Sequence, residues 1–181
     1  MHRLFAAIRP PDSIRDRLLD IMDGVKRARW QDDDQLHLTL RFIGEVEREV
    51  ARDIAAALGR VRQEPFEIAL EGVGTFDSGG RRGSLWIGVR PHDKLKALHK
   101  RVDGALRTVG VAPDRRAFLP HITIARLNRR SGEIGAFLAT HGGIASDPFR
   151  VEDFCLYESF LGGEGASYEI VERYRLEPER G

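Results

Sequence analysis

The sequence holds a single cysteine, Cys155, so no disulfide can close within the chain. A buried spectator thiol and a reducing, cytoplasmic setting are the expectations. Long apolar runs are also missing. Nothing approaches the roughly 20 residues that span a bilayer, so no membrane partner is expected. The opening "MHRLFAAIRPP" is too short in apolar residues, cut by Arg9 and two prolines, to read as a signal peptide. Charge of one sign is lacking: 29 basic against 28 acidic side chains leave +1. That excludes a global pull toward nucleic acid and confines any basic footprint to a local patch. No Walker or dinucleotide glycine motif occurs, because "GGRRGS" lacks the lysine and the spacing. His92 and His99 stand seven apart on a helical pattern with no carboxylate or cysteine cluster to complete a metal site. Neither metal nor cofactor is expected.

What is present is a chain of 181 residues, 41% apolar, enough for a sizeable core. Extended and helical patterns alternate. Arg3 to Ile8 reads as a strand stopped by Pro10-Pro11, after which Asp12 or Ser13 can cap a helix carrying Ile14, Leu18, Ile21, Met22 and Val25. "LHLTLRFIG" is a strand, and Val50, Ile54, Leu58 and Val61 mark a second helix. "FEIALEGVGTF" and "SLWIGVR" read as a hairpin around a loop at 78–83. Leu95, Leu98, Val102 and Leu106 stripe a third helix, and Ile134, Phe137 and Leu138 a short fourth. "FRVEDFCLYES" and "SYEIVERYRL" close the chain as two strands.

One pattern occurs twice. His37-Leu38-Thr39-Leu40 returns as His121-Ile122-Thr123-Ile124. Random placement of six histidines and five threonines gives roughly 0.2 such His-x-Thr triplets. On a strand, His37 and Thr39 share one face while Leu36, Leu38 and Leu40 share the other. A single such strand is ordinary, since half-buried strands carry polar residues on their open face. A matched pair points to two similar lobes about an approximate two-fold, bringing two imidazoles to one cleft. With a pKa near 6.5, one imidazole can accept a proton while the other donates one. Neighbouring hydroxyls can hold phosphate oxygens. This set suits in-line displacement at a strained cyclic phosphodiester.

The two His-x-Thr-x motifs, with "RLFAAIRPP", "LHLTLRFIGEV", "SLWIGVR" and "PHITIAR", resemble the two-histidine phosphoesterase superfamily. The likeness is to its LigT-like branch, the RNA 2′,3′-cyclic phosphodiesterases, and covers nearly the whole chain in order. It implies an α+β fold over residues 1–181 as a single two-lobed domain, each lobe an antiparallel sheet backed by helices, with the site in the cleft between. It also implies opening of 2′,3′-cyclic phosphate ends of RNA or nucleotides to 2′-phosphates. His37 would be the general acid, His121 the general base, and Thr39 and Thr123 the phosphate holders. The motifs themselves do not tell acid from base. RNA ends or small cyclic nucleotides are the expected partners, with no obligatory protein partner.

Three further residues are candidates for nucleotide binding. Arg126 lies five after His121, where the branch has an arginine, but strict alternation points it away, so the strand must bulge or end first. Phe42 holds the matching position after His37 and could bracket a base with Arg126; core packing with Leu38 and Leu40 is its other reading. Arg41 falls on the His37 face by alternation and could meet phosphate. "DRRAFLPHITIARLNRR", with five arginines, could form a basic rim, as could Arg81 and Arg82. Asp32-Asp33-Asp34 could oppose a long duplex or be a solvated loop. Trp86 could pack on the helices or line the cleft, with the core as the expectation. Two other functions stay open: a 2′-5′ RNA ligase or a phosphodiesterase for an ADP-ribose-like cyclic phosphate, and a nucleotide- or RNA-binding module without turnover.

Overall fold

The computed structural model describes residues 1–77 and 82–181. The elements are β1 (His2–Ile8), α1 (Asp12–Asp20), β2 (Arg29–Trp30), a 3-10 turn (Asp33–Gln35), β3 (Leu38–Val46), α2 (Arg48–Leu58) and β4 (Phe66–Asp77). β5 (Arg82–Arg90), α3 (Asp93–Arg107), β6 (His121–Asn128), α4 (Gly135–His141), β7 (Phe149–Val151), β8 (Asp153–Gly162) and β9 (Gly165–Arg175) follow. The strands form a curled antiparallel sheet in the order β7-β4-β5-β6-β3-β1-β8-β9, with β2 beside β6. This is an α+β fold of two lobes. Each lobe supplies four strands in that order, and the motif strands β3 and β6 meet at the centre through one register pair, Leu38 and Ile122.

The lobes are not the two halves of the chain. "FRVEDFCLYES", read as one strand, is two: β7 pairs with β4, then the chain crosses at Glu152 and β8 pairs with β1. The segment 78–83 is strand at its end, since β5 begins at Arg82; residues 78–81, with Arg81, lie outside the described residues, as does the side chain of Arg82. α1 starts at Asp12 and ends at Asp20, so Met22 and Val25 follow the helix, although Val25 is still buried.

Leu36, Leu38 and Leu40 enter one large core with Ile122 and Ile124, against Leu18 of α1, Ile54 and Leu58 of α2, and the α3 stripe from Leu95 to Leu106. A second, smaller cluster of Phe5, Ala7, Cys155 and Tyr157 lies on the opposite face of β1 and β8. Cys155 is inaccessible, and burial pushes its thiol up to about 11, so it stays protonated.

Both motif strands carry a bulge in the same place. In β3 the pairing with β1 runs from Ala7 opposite Thr39 to Ala6 opposite Arg41, leaving Leu40 extra. In β6 the pairing with β5 runs from Trp86 opposite Thr123 to Leu85 opposite Ala125, leaving Ile124 extra. Two successive residues therefore face the core in each strand, Leu40 with Arg41 and Ile124 with Ala125. This corrects the alternation reading of Arg41. Its guanidinium is turned from the His37 face into the protein, where it meets Asp103 of α3 at 2.8 Å and donates to the carbonyls of Phe42 and Ala112.

Arg41 is 6% exposed, so its charge depends on Asp103. Replacing Asp103 with Ala should destabilise the fold by about 3 kcal/mol or more, because an unpaired charge stays buried. The shift of the urea midpoint measures it. The paired change with Arg41→Met should recover much of the loss.

Candidate active site

His37 stands just before β3 and His121 opens β6. Each ring is fixed by the same local bond. His37 Nδ1 lies 2.7 Å from the carbonyl of Gln35, and His121 Nδ1 lies 2.6 Å from that of Leu119, two residues earlier in each case. A carbonyl oxygen only accepts, so Nδ1 carries the proton and donates it. That leaves Nε2 as the basic nitrogen on both rings. The two imidazoles, with Thr39 and Thr123, line one cavity of about 110 Å³.

Aromatic walls hold the rings. Phe5, Tyr168 and Tyr157 lie 4.9, 5.3 and 5.9 Å from His37 between ring centres. Phe76 and Trp86 lie 4.9 and 5.6 Å from His121. In each lobe the wall comes from the strands beyond the motif strand. Trp86 thus packs against His121 and is half-buried, without lining the cavity itself. Its ring fits only because position 74 is glycine; a Cβ there would come within 2.2 Å of it.

The loop carrying His37 is tied down by the acidic run. The Asp32 carboxylate accepts from the Gln35 backbone while the Gln35 side chain returns to Asp32, a reciprocal cap. Asp33 takes the buried Arg15 at 2.9 Å and Arg9 at 3.4 Å. The run is thus more than a solvated loop, since Asp32 caps this turn and Asp33 pairs with Arg15 and Arg9. The Gln35 amide also donates to the Ala166 carbonyl, joining the turn to β9.

Arg126 reaches the cleft because of the bulge at Ile124. It lines the cavity, and its positive charge bears on both histidines. Phe42, its counterpart in β3, turns to the open side in the same way. It is 38% exposed, so the core reading fails, and the Arg3 guanidinium lies 5.4 Å from its ring centre. Phe42 does not line the cavity with Arg126. The basic run around the second motif forms no single rim: Arg116 pairs with Asp114, and only Arg126 of its five arginines reaches the cleft. Gln31, Gln35, Ser84, Phe76 and Tyr168 also line the cavity, beyond the residues to which the motifs point. A polar Ser84 inside the apolar strand "SLWIGVR" was the one signal available.

His99 serves structure. It stacks on Phe118 at 4.3 Å and donates from Nδ1 to the Leu40 carbonyl, the residue of the bulge. The corresponding Ile124 carbonyl accepts from the Gln31 backbone. His2 bonds Glu158 and His141 packs on Phe137, so both are half-buried rather than free at the surface. Among the described residues no cluster of three or more His, Cys, Asp or Glu could hold a metal ion. Among the described residues no helix is long and apolar enough to cross a membrane.

Burial holds the His37 imidazole down to about 4, against a raising bond from its own Nδ1 to Gln35, with the charges of Arg126 and His121 lowering it further. His121 is lowered by the same burial and by Arg126, and raised by its bond to Leu119. Both rings are therefore disfavoured as cations in the free protein.

A model of the 2′-5′ RNA ligase superfamily matches residues 10–159. The chain is 33% identical over 170 residues to an RNA 2′,3′-cyclic phosphodiesterase of Archaeoglobus fulgidus, covering 92% of this chain and 96% of that one. It is 33% identical over 143 residues to an RNA 2′,3′-cyclic phosphodiesterase of Aeropyrum pernix, covering 77% and 81%. Among solved structures, a Thermus thermophilus protein superposes with a TM-score of 0.81 at 25% identity over 98% of this chain and 100% of that one. E. coli LigT in complex with 3′-AMP superposes with a TM-score of 0.75 at 27% identity over 97% and 98%.

The lowered histidines make anion binding take up protons. Sulfate keeps its charge over this range, so its affinity should rise about tenfold or more as pH falls from about 7 to about 5 and level off below the free His37 value. Titration calorimetry in two buffers of different ionisation enthalpy reads the proton uptake directly. An affinity independent of pH would contradict it.

Proposed function

Because the chain belongs to the 2′-5′ RNA ligase superfamily, we propose that it hydrolyses RNA 2′,3′-cyclic phosphate ends to 2′-phosphates with its two histidines and no metal. The observation that carries this reading is the paired imidazole arrangement, each with Nδ1–H on a carbonyl and Nε2 left basic, in one cavity. The relatives named RNA 2′,3′-cyclic phosphodiesterase support the substrate. One two-lobed unit carries both motifs.

In this reading the cyclic phosphate sits between the rings. His121 Nε2 takes a proton from water, the water oxygen attacks phosphorus, and the bond from phosphorus to O3′ breaks in line. His37 gives its proton to the departing oxygen. The acid and base assignment follows the family likeness. Thr39 and Thr123 donate hydroxyl hydrogens to the non-bridging oxygens, and Arg126 balances their charge. The substrate anion raises both histidines, so the proton His37 needs enters with it.

With 2′,3′-cyclic AMP and EDTA, the product should be the 2′-phosphate. His37→Ala and His121→Ala should each lower kcat by about 10²- to 10⁴-fold. Thr39→Ala and Thr123→Ala should each cost about tenfold or more, the worth of a hydrogen bond to a charged group. Half the activity kept by either histidine variant would overturn the mechanism. Loss of all activity in EDTA would overturn its metal independence. Formation of a 2′-5′ linkage with a 5′-hydroxyl RNA would add the ligase reading.

A further inference from the structure

The cavity of the histidines opens into a much larger groove of about 750 Å³ between β9, β2 and the β4–β5 hairpin. Arg126 and Tyr168 line both spaces, so the groove is a continuation of the site rather than a separate depression. Its remaining cations are Arg3 of β1 and Arg29 of β2, and among the described residues no carboxylate lines it. In a chain with 28 acidic side chains that is a local concentration of positive charge.

Among the described residues no carboxylate forms an ion pair with either guanidinium. Arg3 lies over the Phe42 ring, and Glu45, opposite it in the β1–β3 register, makes no ion pair with it. Arg29 donates to the Glu164 carbonyl, a bond that leaves its charge unbalanced. Apolar side chains line the same groove: Tyr168, Phe76 at 37% exposure and Leu161 at 69%. Cations together with exposed aromatic and apolar side chains suit the backbone and bases of a single strand.

We propose that this groove binds the nucleotides on the 5′ side of the cyclic phosphate, with Arg3 and Arg29 on successive phosphates and a base against Tyr168 and Leu161. It rests on the reading of the reaction given above. The enzyme then selects RNA ends over free cyclic mononucleotides through residues that take no part in the chemistry.

The test compares kcat/KM for 2′,3′-cyclic AMP with that for oligoribonucleotides of two and four residues ending in the same cyclic phosphate. Wild type should favour the tetranucleotide by about tenfold or more at low salt, with log kcat/KM falling against log salt at a slope near −1.4. Arg3→Gln and Arg29→Gln should each remove most of that preference and reduce the slope by about 0.7, while leaving cyclic AMP turnover unchanged. Equal kcat/KM for mononucleotide and tetranucleotide, or a preference untouched by both variants, overturns the groove. If wild type opens neither substrate, the reaction itself is misread. Fluorescence anisotropy of a 3′-phosphorylated tetranucleotide then decides the groove alone: affinity lost in both variants supports it, and affinity kept in both overturns it.

Discussion

An extra residue after each His-x-Thr, Leu40 in one strand and Ile124 in the other, decides where the next side chains go. Without it, strict alternation would put Arg41 in the cleft and bury Arg126 and Phe42. With it, each strand faces the core twice in succession and then turns outward, delivering Arg126 to the histidines. A bulge frees a carbonyl from the ladder, and that group needs another partner. The fold supplies one in each case: His99 for Leu40 and the Gln31 backbone for Ile124. α3, which packs on β3, adds the Arg41–Asp103 pair and so grips the irregular strand from the core side.

The same geometry sets the electrostatics. Two imidazoles enclosed by aromatic rings and facing a shared arginine are disfavoured as cations. A cyclic phosphate diester brings one negative charge, which compensates what the protein withholds. On the proposed mechanism, proton occupancy is thereby coupled to the arrival of the substrate. No acidic side chain lines the cavity among the described residues, so nothing in its wall competes with that anion.

Much of this was legible in the sequence because it depends on repetition and period. The doubled motif located both histidines and both threonines, and alternating leucines located the sheet face that anchors them. The requirement that β6 bulge for Arg126 to reach the site was readable, because alternation alone gave the wrong face. Applying it to β3 as well would have sent Arg41 inward. The crossing at Glu152 was hidden because β7 and β8 lie end to end with one residue between them, and local pattern carries no information on which neighbour each half pairs with. The wall residues Phe76 and Tyr168 were hidden for the same reason. An aromatic in a strand looks alike whether it packs on a helix or on an imidazole.

The central claim is that two histidines, both lowered by burial, perform acid and base duty together. The pH dependence of kcat/KM for 2′,3′-cyclic AMP tests it most directly, since it reports the ionisations of the free enzyme. The account predicts a bell with flanks of unit slope and its apex below pH about 6.5, because both rings lie under their ordinary value. A profile flat from about pH 5 to 9, or one rising steadily through the alkaline range, would contradict it.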